Sequence, residues 1–195
     1  LHDDLKLCDV IIADQIDHYD ANLKAVANED GTHRFQHRGA VFHVDHVYAE
    51  AARQFEFTHP EVFDDWAKRG ANDLRSEVGD AAPQGLVSAW GESPRLHVGH
   101  LASGSVVGAA KGFKDWLRLR DASVRAIEME SAGLARAAVK RRDGVAFVVV
   151  RGISDRSDAD KKALDEAGEG VIRRVAMRNA VRLMLALVRA GTLPG

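Results

Sequence analysis

The sequence is poor in the features that mark disulfide-rich, zinc-clustered, nucleic-acid-binding or membrane-spanning proteins. Cys8 is the only cysteine among the 195 residues, which excludes an intrachain disulfide and any multi-cysteine zinc site. No apolar run approaches the roughly 20 residues that a membrane-spanning helix needs. The formal net charge is −2, so no overall positive field favours nucleic acid as a partner. These absences favour a globular protein of a reducing, cytoplasmic compartment, with neither nucleic acid nor a membrane as its partner.

The start of the chain is unusual. The first ten residues, LHDDLKLCDV, have no initiator methionine, and they lack the basic start and the apolar stretch of a signal peptide. A strand-like run follows almost at once. We therefore expect residues 1–195 to form a single domain that is incomplete at its N-terminus. The chain is nevertheless long enough to bury a core.

Short apolar runs predict the strands. Asp9–Asp14 reads as a buried strand, and Val145–Val150 reads as a strand covered on both faces because every position in it is apolar. The segment RLHVGHLASG predicts a strand that ends in a glycine turn. The segment RAIEME predicts a short strand before an alanine-rich helix. A polar excursion, irregular or hairpin-like, is predicted between the first strand and residue 43.

Amphipathic spacing predicts helices between these strands. Two helices are predicted from Val44 to Leu74, and Pro60 is placed to open the second of them. A long final helix with a continuous apolar stripe is predicted to begin near Leu164. Strands that alternate with helices predict an α/β fold, a three-layer sandwich with a mixed, largely parallel central sheet.

Polar residues follow three of the predicted strands. In sheets of this kind, ligands bind beyond the carboxyl ends of the parallel strands. Each pair alone has an ordinary explanation: a tight turn, an acid at a helix N-terminus capped by Ser131, and a turn aspartate. Their joint occurrence at three strand ends predicts a ligand site. The pairs are Ser103–Gly104, Met129–Glu130 and Ser154–Asp155.

The segment AIEMESAGLARAA, the later RGISD and the upstream LASGSVV together resemble the purine nucleoside phosphorylase and uridine phosphorylase superfamily. The likeness is nearest to the methylthioadenosine/S-adenosylhomocysteine nucleosidases and to nucleosidase-like effector domains, and it covers roughly residues 5 to 190. It implies an enzyme that cleaves the N-glycosidic bond of a purine nucleoside or nucleotide and releases the free base. It implies no metal and no organic cofactor. It also implies a homo-oligomer, because the segment DHYD (residues 17–20) resembles a family loop that reaches a neighbouring subunit.

The resemblance further implies a role for each strand-end residue. Glu130 is expected to accept hydrogen bonds from the ribose 2′- and 3′-hydroxyls, and Met129 to pack against the sugar. Asp155 is expected to donate a proton to N7 of the purine, with Ser154 orienting it. The base pocket is expected to include Ser103 and Gly104.

These roles suit the chemistry of the reaction. Cleavage of the bond builds positive charge on the sugar and negative charge on the leaving base, as in other oxocarbenium-like glycoside cleavages. A general acid beside the base typically contributes ~10²–10⁴-fold. A desolvated strand-end pocket helps Asp155 to hold its proton, whereas Glu130 must stay ionised because its partners are hydroxyl donors.

Two departures from the family pattern leave alternatives open. The family's opening strands are not in the sequence, and these carry the acid that activates water and the glycine loop that binds phosphate. The segment ASG favours hydrolysis, with phosphorolysis as the alternative that uses phosphate as a second substrate. Val106–Val107 stand where nucleosidases carry an aromatic residue that stacks on the base. A non-catalytic nucleoside-binding or effector module is the alternative of a different class.

Overall fold

The computed structural model describes residues 4–78, 91–105, 111–141, 144–155 and 170–193. Val106–Val107 and the predicted helix start at Leu164 lie outside these ranges. The strands are β1 (Val10–His18), β2 (Leu23–Ala27), β3 (His33–His37), β4 (Ala40–His43), β5 (Leu96–Ser103), β6 (Val124–Glu128) and β7 (Val150–Gly152). The helices are α1 (His46–Thr58), α2 (Pro60–Asp73), α3 (Lys111–Arg120), α4 (Ser131–Lys140) and α5 (Val171–Arg189), with a π-helical turn (Leu74–Val78) after α2.

The central sheet is mixed, and β1 is its best-connected strand. The order along the sheet is β4-β1-β5-β6, and β7 also pairs with β1. The strands β1, β5 and β6 are parallel, whereas β4 and β7 run antiparallel to β1. Because β5 occupies one edge of β1, β4 and β7 share the other edge, with β7 beside the first residues of β1 and β4 beside the last.

Helices cover both faces of this sheet because β1 is apolar on both of its sides. Val10 and Ile12 pack with α1, α2 and α5, whereas Ile11 and Ala13 face α4. Side chains of a strand alternate between its two faces, so a run that is apolar throughout needs a layer on each side. The predicted α/β sandwich with a mixed, largely parallel sheet is confirmed.

Most of the predicted elements are present. The polar excursion contains a separate two-stranded sheet, β2–β3. Pro60 is the first residue of α2, as predicted, where its missing N–H is of no consequence. The N-terminus of α1 is capped by Asp45, whose carboxylate accepts the N–H of Val47 at 3.0 Å.

The predicted strand Val145–Val150 is largely wrong. Only Val150 belongs to β7, although the carbonyl of Val149 also accepts the N–H of Ala13 at 2.9 Å. Val145 is 42% exposed. An apolar run forms a strand only where a neighbouring strand offers hydrogen-bond partners, and the pairing with β1 begins at Val149.

Cys8 is a fully buried core residue, and it has a positive φ of 68°. Its N–H donates to the carbonyl of Ile153 at 2.7 Å, and its Sγ contacts the carbonyl oxygen of Ile172 on α5. Burial, helped by the charge of the neighbouring Asp9, raises the pKa of the thiol to about 12. The thiol is therefore protonated and unreactive in the folded chain.

Candidate functional site

The junction between β6 and α4 is built around a buried carboxylate that the sequence reasoning missed. Glu128 is the last residue of β6 and follows Val124 and Ala126 on the inward face of that strand. Its Oε2 accepts the N–H groups of Glu130 and Ser131, each at 2.9 Å, and its Oε1 accepts the hydroxyl of Ser131. Glu128 therefore satisfies N–H groups at the start of α4 from inside the protein. The inward alternation of β6 was the signal that could have identified it.

The end of β5 completes this junction. Ser103 is fully buried; its hydroxyl donates to Glu128, and its Oγ accepts the N–H of Ala132 at 3.0 Å. The N–H of Gly104 donates to the carbonyl of Glu128 at 3.2 Å. A Cβ at Gly104 would lie 2.4 Å from the ring of Tyr19, so a larger residue does not fit there. Ser103 thus supports Glu128 with the hydroxyl that was expected to line the base pocket.

These contacts set the charge of the buried acid. Burial alone would raise the pKa of Glu128, but hydrogen bonds from Ser103, from Ser131 and from the N–H of Glu130 outweigh it. The net effect lowers the pKa, because every one of these donors stabilises the charged form. Glu128 is therefore a carboxylate at neutral pH.

Glu130 has the opposite setting, two residues further along the chain. It occupies the N-cap position of α4, yet its side chain makes no capping hydrogen bond. The side chain is 68% exposed and pairs with the guanidinium of Arg151 at 2.9 Å. Met129 beside it is 47% exposed. Both side chains are therefore accessible from outside, and the ligand-binding roles expected for them stay predictions.

Ser131 does not cap this helix, so that ordinary explanation of the segment does not apply. Ser131 is the first residue of α4, and it is buried. Its hydroxyl donates to Glu128, so it acts as a donor to the buried acid and leaves the capping to Glu128.

The direction of β7 separates the predicted site residues. Gly152 pairs with Val10, so β7 ends beside the beginning of β1 and Ser154–Asp155 follow in that direction. Ser103, by contrast, pairs with His18 at the end of β1. The structure therefore does not bring all three strand ends to one edge of the sheet, because that expectation assumed that β7 runs parallel to β5 and β6.

Arg151 nevertheless connects β7 with the β6–α4 junction through its contact with Glu130. Asp155 follows Arg151 by four residues, which corresponds to roughly 13 Å of extended chain. The hydroxyl of Ser154 donates to Oδ2 of Asp155 at 3.4 Å, a long hydrogen bond. Arg151 is a second residue that the sequence reasoning missed, since an arginine in a strand carries no local signal of its partner.

The segment DHYD packs within its own chain against the turn after β5. Asp20 accepts the N–H of Ser105 at 2.7 Å and its hydroxyl at 2.6 Å, and His18 Nε2 lies 3.0 Å from the same carboxylate. Burial raises the pKa of Asp20, but the bonds from Ser105 and the charge of His18 outweigh it and lower the pKa. Tyr19 is buried. The homo-oligomer that this segment suggested stays a prediction.

The described ranges hold neither a metal-binding cluster nor a membrane-spanning helix. No group of three or more His, Cys, Asp or Glu side chains there is arranged to hold a metal ion. No helix of that part of the chain is both long and apolar enough to cross a membrane.

The fold is similar to those of several nucleosidases. The methylthioadenosine/S-adenosylhomocysteine nucleosidase of Neisseria meningitidis, in complex with methylthio-immucillin-A, aligns with a TM-score of 0.61 and 20% identity over 97% of this chain and 65% of its own. The Streptococcus pneumoniae enzyme in complex with 8-aminoadenine aligns with a TM-score of 0.62 and 18% identity, over 97% and 64% respectively. Futalosine hydrolase of Helicobacter pylori aligns with a TM-score of 0.59 and 18% identity, over 96% and 63%.

The chain spans less than two thirds of the length of these three structures, and at such low identity the likeness shows a shared fold. A search among curated proteins gave no match. A family profile described as the phosphorylase superfamily matches residues 1–189. Since that match covers nearly the whole sequence, and the fold agrees with it, the chain belongs to the phosphorylase superfamily.

Proposed function

We propose that the protein cleaves the N-glycosidic bond of a purine nucleoside or nucleotide by hydrolysis and releases the free base. The observation that carries the proposal is the outward carboxylate of Glu130, which follows Met129 and is freed from capping α4 by Glu128. Membership of the phosphorylase superfamily supports it. So does the similarity of the fold to nucleosidases whose solved structures hold adenine-type ligands.

Glu130 is proposed to bind the ribose. Its carboxylate has acceptor positions to spare for the 2′- and 3′-hydroxyls, because Arg151 uses one oxygen at 2.9 Å. An anion below the sugar also stabilises the positive charge that develops there as the bond breaks. Met129 supplies an apolar contact for the ring of the sugar.

Asp155 is proposed to be the general acid that protonates N7 of the purine, with Ser154 as its orienting partner. In the structure these residues follow β7 toward the beginning of β1, so the proposal requires the base to extend from Glu130 past Arg151 toward Asp155. Gly104 is proposed to contribute to the base pocket by its backbone, and Ser103 through its support of Glu128. The mechanism needs no metal or organic cofactor.

The test is an assay of free base with adenosine, inosine, methylthioadenosine and ATP, each with and without phosphate. We expect release without phosphate for at least one of these, and at least a 100-fold loss in Glu130→Gln and Asp155→Asn. Glu50→Gln on α1 is the matched control and should keep full activity. Release that requires phosphate would replace hydrolysis by phosphorolysis. Turnover that neither variant changes would remove both assigned roles.

A non-catalytic nucleoside-binding module is the second candidate, and the antiparallel course of β7 favours it. That course places Asp155 away from the edge that holds Ser103, so the acid and the β6–α4 junction are not assembled at one strand edge. A protein of this kind would bind nucleosides through Glu130 without releasing the base. Binding measured by calorimetry in the absence of turnover, unchanged in Asp155→Asn, would establish this function.

We also propose that the protein is a cytoplasmic homo-oligomer. The support is the likeness of residues 17–20 to a loop that reaches a neighbouring subunit, and an unpaired cysteine suits a reducing compartment. Light scattering checks the first part, and a monomeric mass would contradict it.

A further inference from the structure

We infer that Glu128 is a positioning residue that sets the ribose specificity of this site by keeping Glu130 turned outward. The inference rests on the proposed function, in which Glu130 binds the ribose hydroxyls. It concerns a different residue, whose side chain is buried at the start of α4.

The N–H groups at the N-terminus of α4 need hydrogen-bond acceptors. The first N–H groups of a helix have no partner within the helix, and together with the helix dipole they attract the nearest anion. Three consecutive N–H groups here, those of Glu130, Ser131 and Ala132, are all satisfied from the core side. Glu128 accepts two of them, and Ser103 accepts the third.

Glu128 and Glu130 are alternative acceptors for the N–H groups at the start of α4. Glu130 occupies the N-cap position, where a polar side chain ordinarily accepts an N–H from the first turn. Its side chain makes no such bond, because Oε2 of Glu128 already accepts the N–H groups of Glu130 and Ser131. Without Glu128, the carboxylate of Glu130 would be the nearest anion to the vacated N–H groups, and it would turn toward them and away from a ligand.

The buried carboxylate of Glu128 needs hydrogen-bond donors of its own. A buried carboxylate is stable only when it is fully hydrogen-bonded. Hydroxyls from Ser103 and Ser131 complete its shell, which also lowers its pKa. The two serines thus belong to the same hydrogen-bond network. Replacing either one removes a single donor to Glu128 and should weaken the positioning of Glu130 only in part.

The experiment compares adenosine with 2′-deoxyadenosine, since only the former offers the 2′-hydroxyl to Glu130. In Glu128→Gln the amide N–H₂ faces N–H and O–H donors, so we expect the preference for adenosine, measured as the ratio of kcat/KM values, to fall about 10-fold. Ser131→Ala removes one hydroxyl and should lower the same ratio about 3-fold, and it serves if Glu128→Gln folds poorly. The matched control Glu50→Gln should leave the ratio unchanged.

A double variant separates positioning from a merely structural role. If Glu128 acts through Glu130, then Glu128→Gln combined with Glu130→Gln should show the same ratio as Glu130→Gln alone. Equal losses of kcat/KM on both nucleosides, or additive losses in the double variant, would overturn the inference. Base release by the wild type would still leave the proposed function standing.

The proposed function can also fail separately. If the wild type binds both nucleosides but releases no base, hydrolysis is rejected, and the same ratio taken from dissociation constants decides the positioning role. If the wild type binds neither nucleoside, the proposed function and this inference both fall.

Discussion

The junction after β6 and the end of β7 each place an acidic residue just beyond a strand, but the two regions are held in different ways. At the junction, the side chains of Glu128 and Ser103 bind the first N–H groups of α4. At β7, the strand is three residues long and packs closely against α5: a Cβ on Gly152 would lie 2.1 Å from the carbonyl oxygen of Ala176.

The difference lies in the kind of contact that surrounds Glu130 and Asp155. At the junction, Glu128 accepts the N–H groups of the helix start, and the exposed side chain of Glu130 pairs with Arg151. Close packing against α5 fixes the position of Gly152 in β7, and the hydroxyl of Ser154 donates a long hydrogen bond to Asp155. The first region therefore depends on side-chain hydrogen bonds, and the second depends on close packing of the backbone.

The largest effect should follow from breaking the packed region. Gly152→Val places new atoms against the backbone of Ala176, which a side-chain movement cannot relieve. We expect a loss of about 3 kcal/mol or more in the free energy of unfolding. Urea denaturation of both proteins measures it. An unchanged midpoint would mean that β7 does not lie against α5.

Breaking the hydrogen-bonded region should cost less. Ser103→Ala removes the acceptor of the Ala132 N–H and one donor to Glu128, both buried. The expected loss is about 1–2 kcal/mol in the free energy of unfolding, because the buried N–H of Ala132 is left without its acceptor and Glu128 loses one of its donors. Ser76→Ala, in the exposed turn after α2, is the control for serine removal and should cost much less. Equal stability of the Ser103→Ala and wild-type proteins would contradict the network.

The hydrogen-bonded region should also respond to acid. The folded pKa of Glu128 lies below its ordinary value of 4.5, so its stabilisation is complete above that pH and is lost as the pH falls through the lowered pKa. Stability of the wild type should therefore drop below about pH 4.5 more steeply than stability of Glu128→Gln. Asp20 and Asp121, whose pKa values are also lowered, leave part of the acid sensitivity in the variant. Urea midpoints from pH 7 to pH 3 provide the comparison, and parallel curves would show that Glu128 is not responsible.

The smallest expected change in stability comes from Gly133→Ala, which is the control for Gly152→Val. Gly133 lies in α4 on the exposed side, and a Cβ there would meet nothing within 4 Å. Gly133→Ala should stabilise the protein by roughly 0.5–1 kcal/mol, because alanine favours the helix and loses less entropy on folding. A destabilised Gly133→Ala protein would indicate that α4 is covered on that side by another surface.

Local patterns were sufficient to predict most elements, since they depend on neighbouring residues. The apolar run at the start of β1, the break at Pro60 and the change of spacing after Glu128 each mark a boundary within a few residues. The same holds for the polar residues at strand ends, which led to Glu130 and Met129.

Features that depend on distant partners could not be predicted in this way. The run Val145–Val150 satisfies the pattern of a buried strand, but the strand forms only where β1 supplies hydrogen bonds. The antiparallel direction of β7 likewise has no local signal. Glu128 reads as one more acid near a helix start until the alternation with Val124 and Ala126 shows that it must point inward.

The lone thiol of Cys8 turns the contact between the beginning of β1 and α5 into a built-in reporter. Since no second cysteine exists in the 195 residues, any maleimide taken up by the protein marks this one position. The sulfur is enclosed and protonated while it touches the carbonyl of Ile172, so alkylation must wait until that contact opens. The rate of labelling therefore measures how often the contact between Cys8 and Ile172 opens, and no engineered probe is needed.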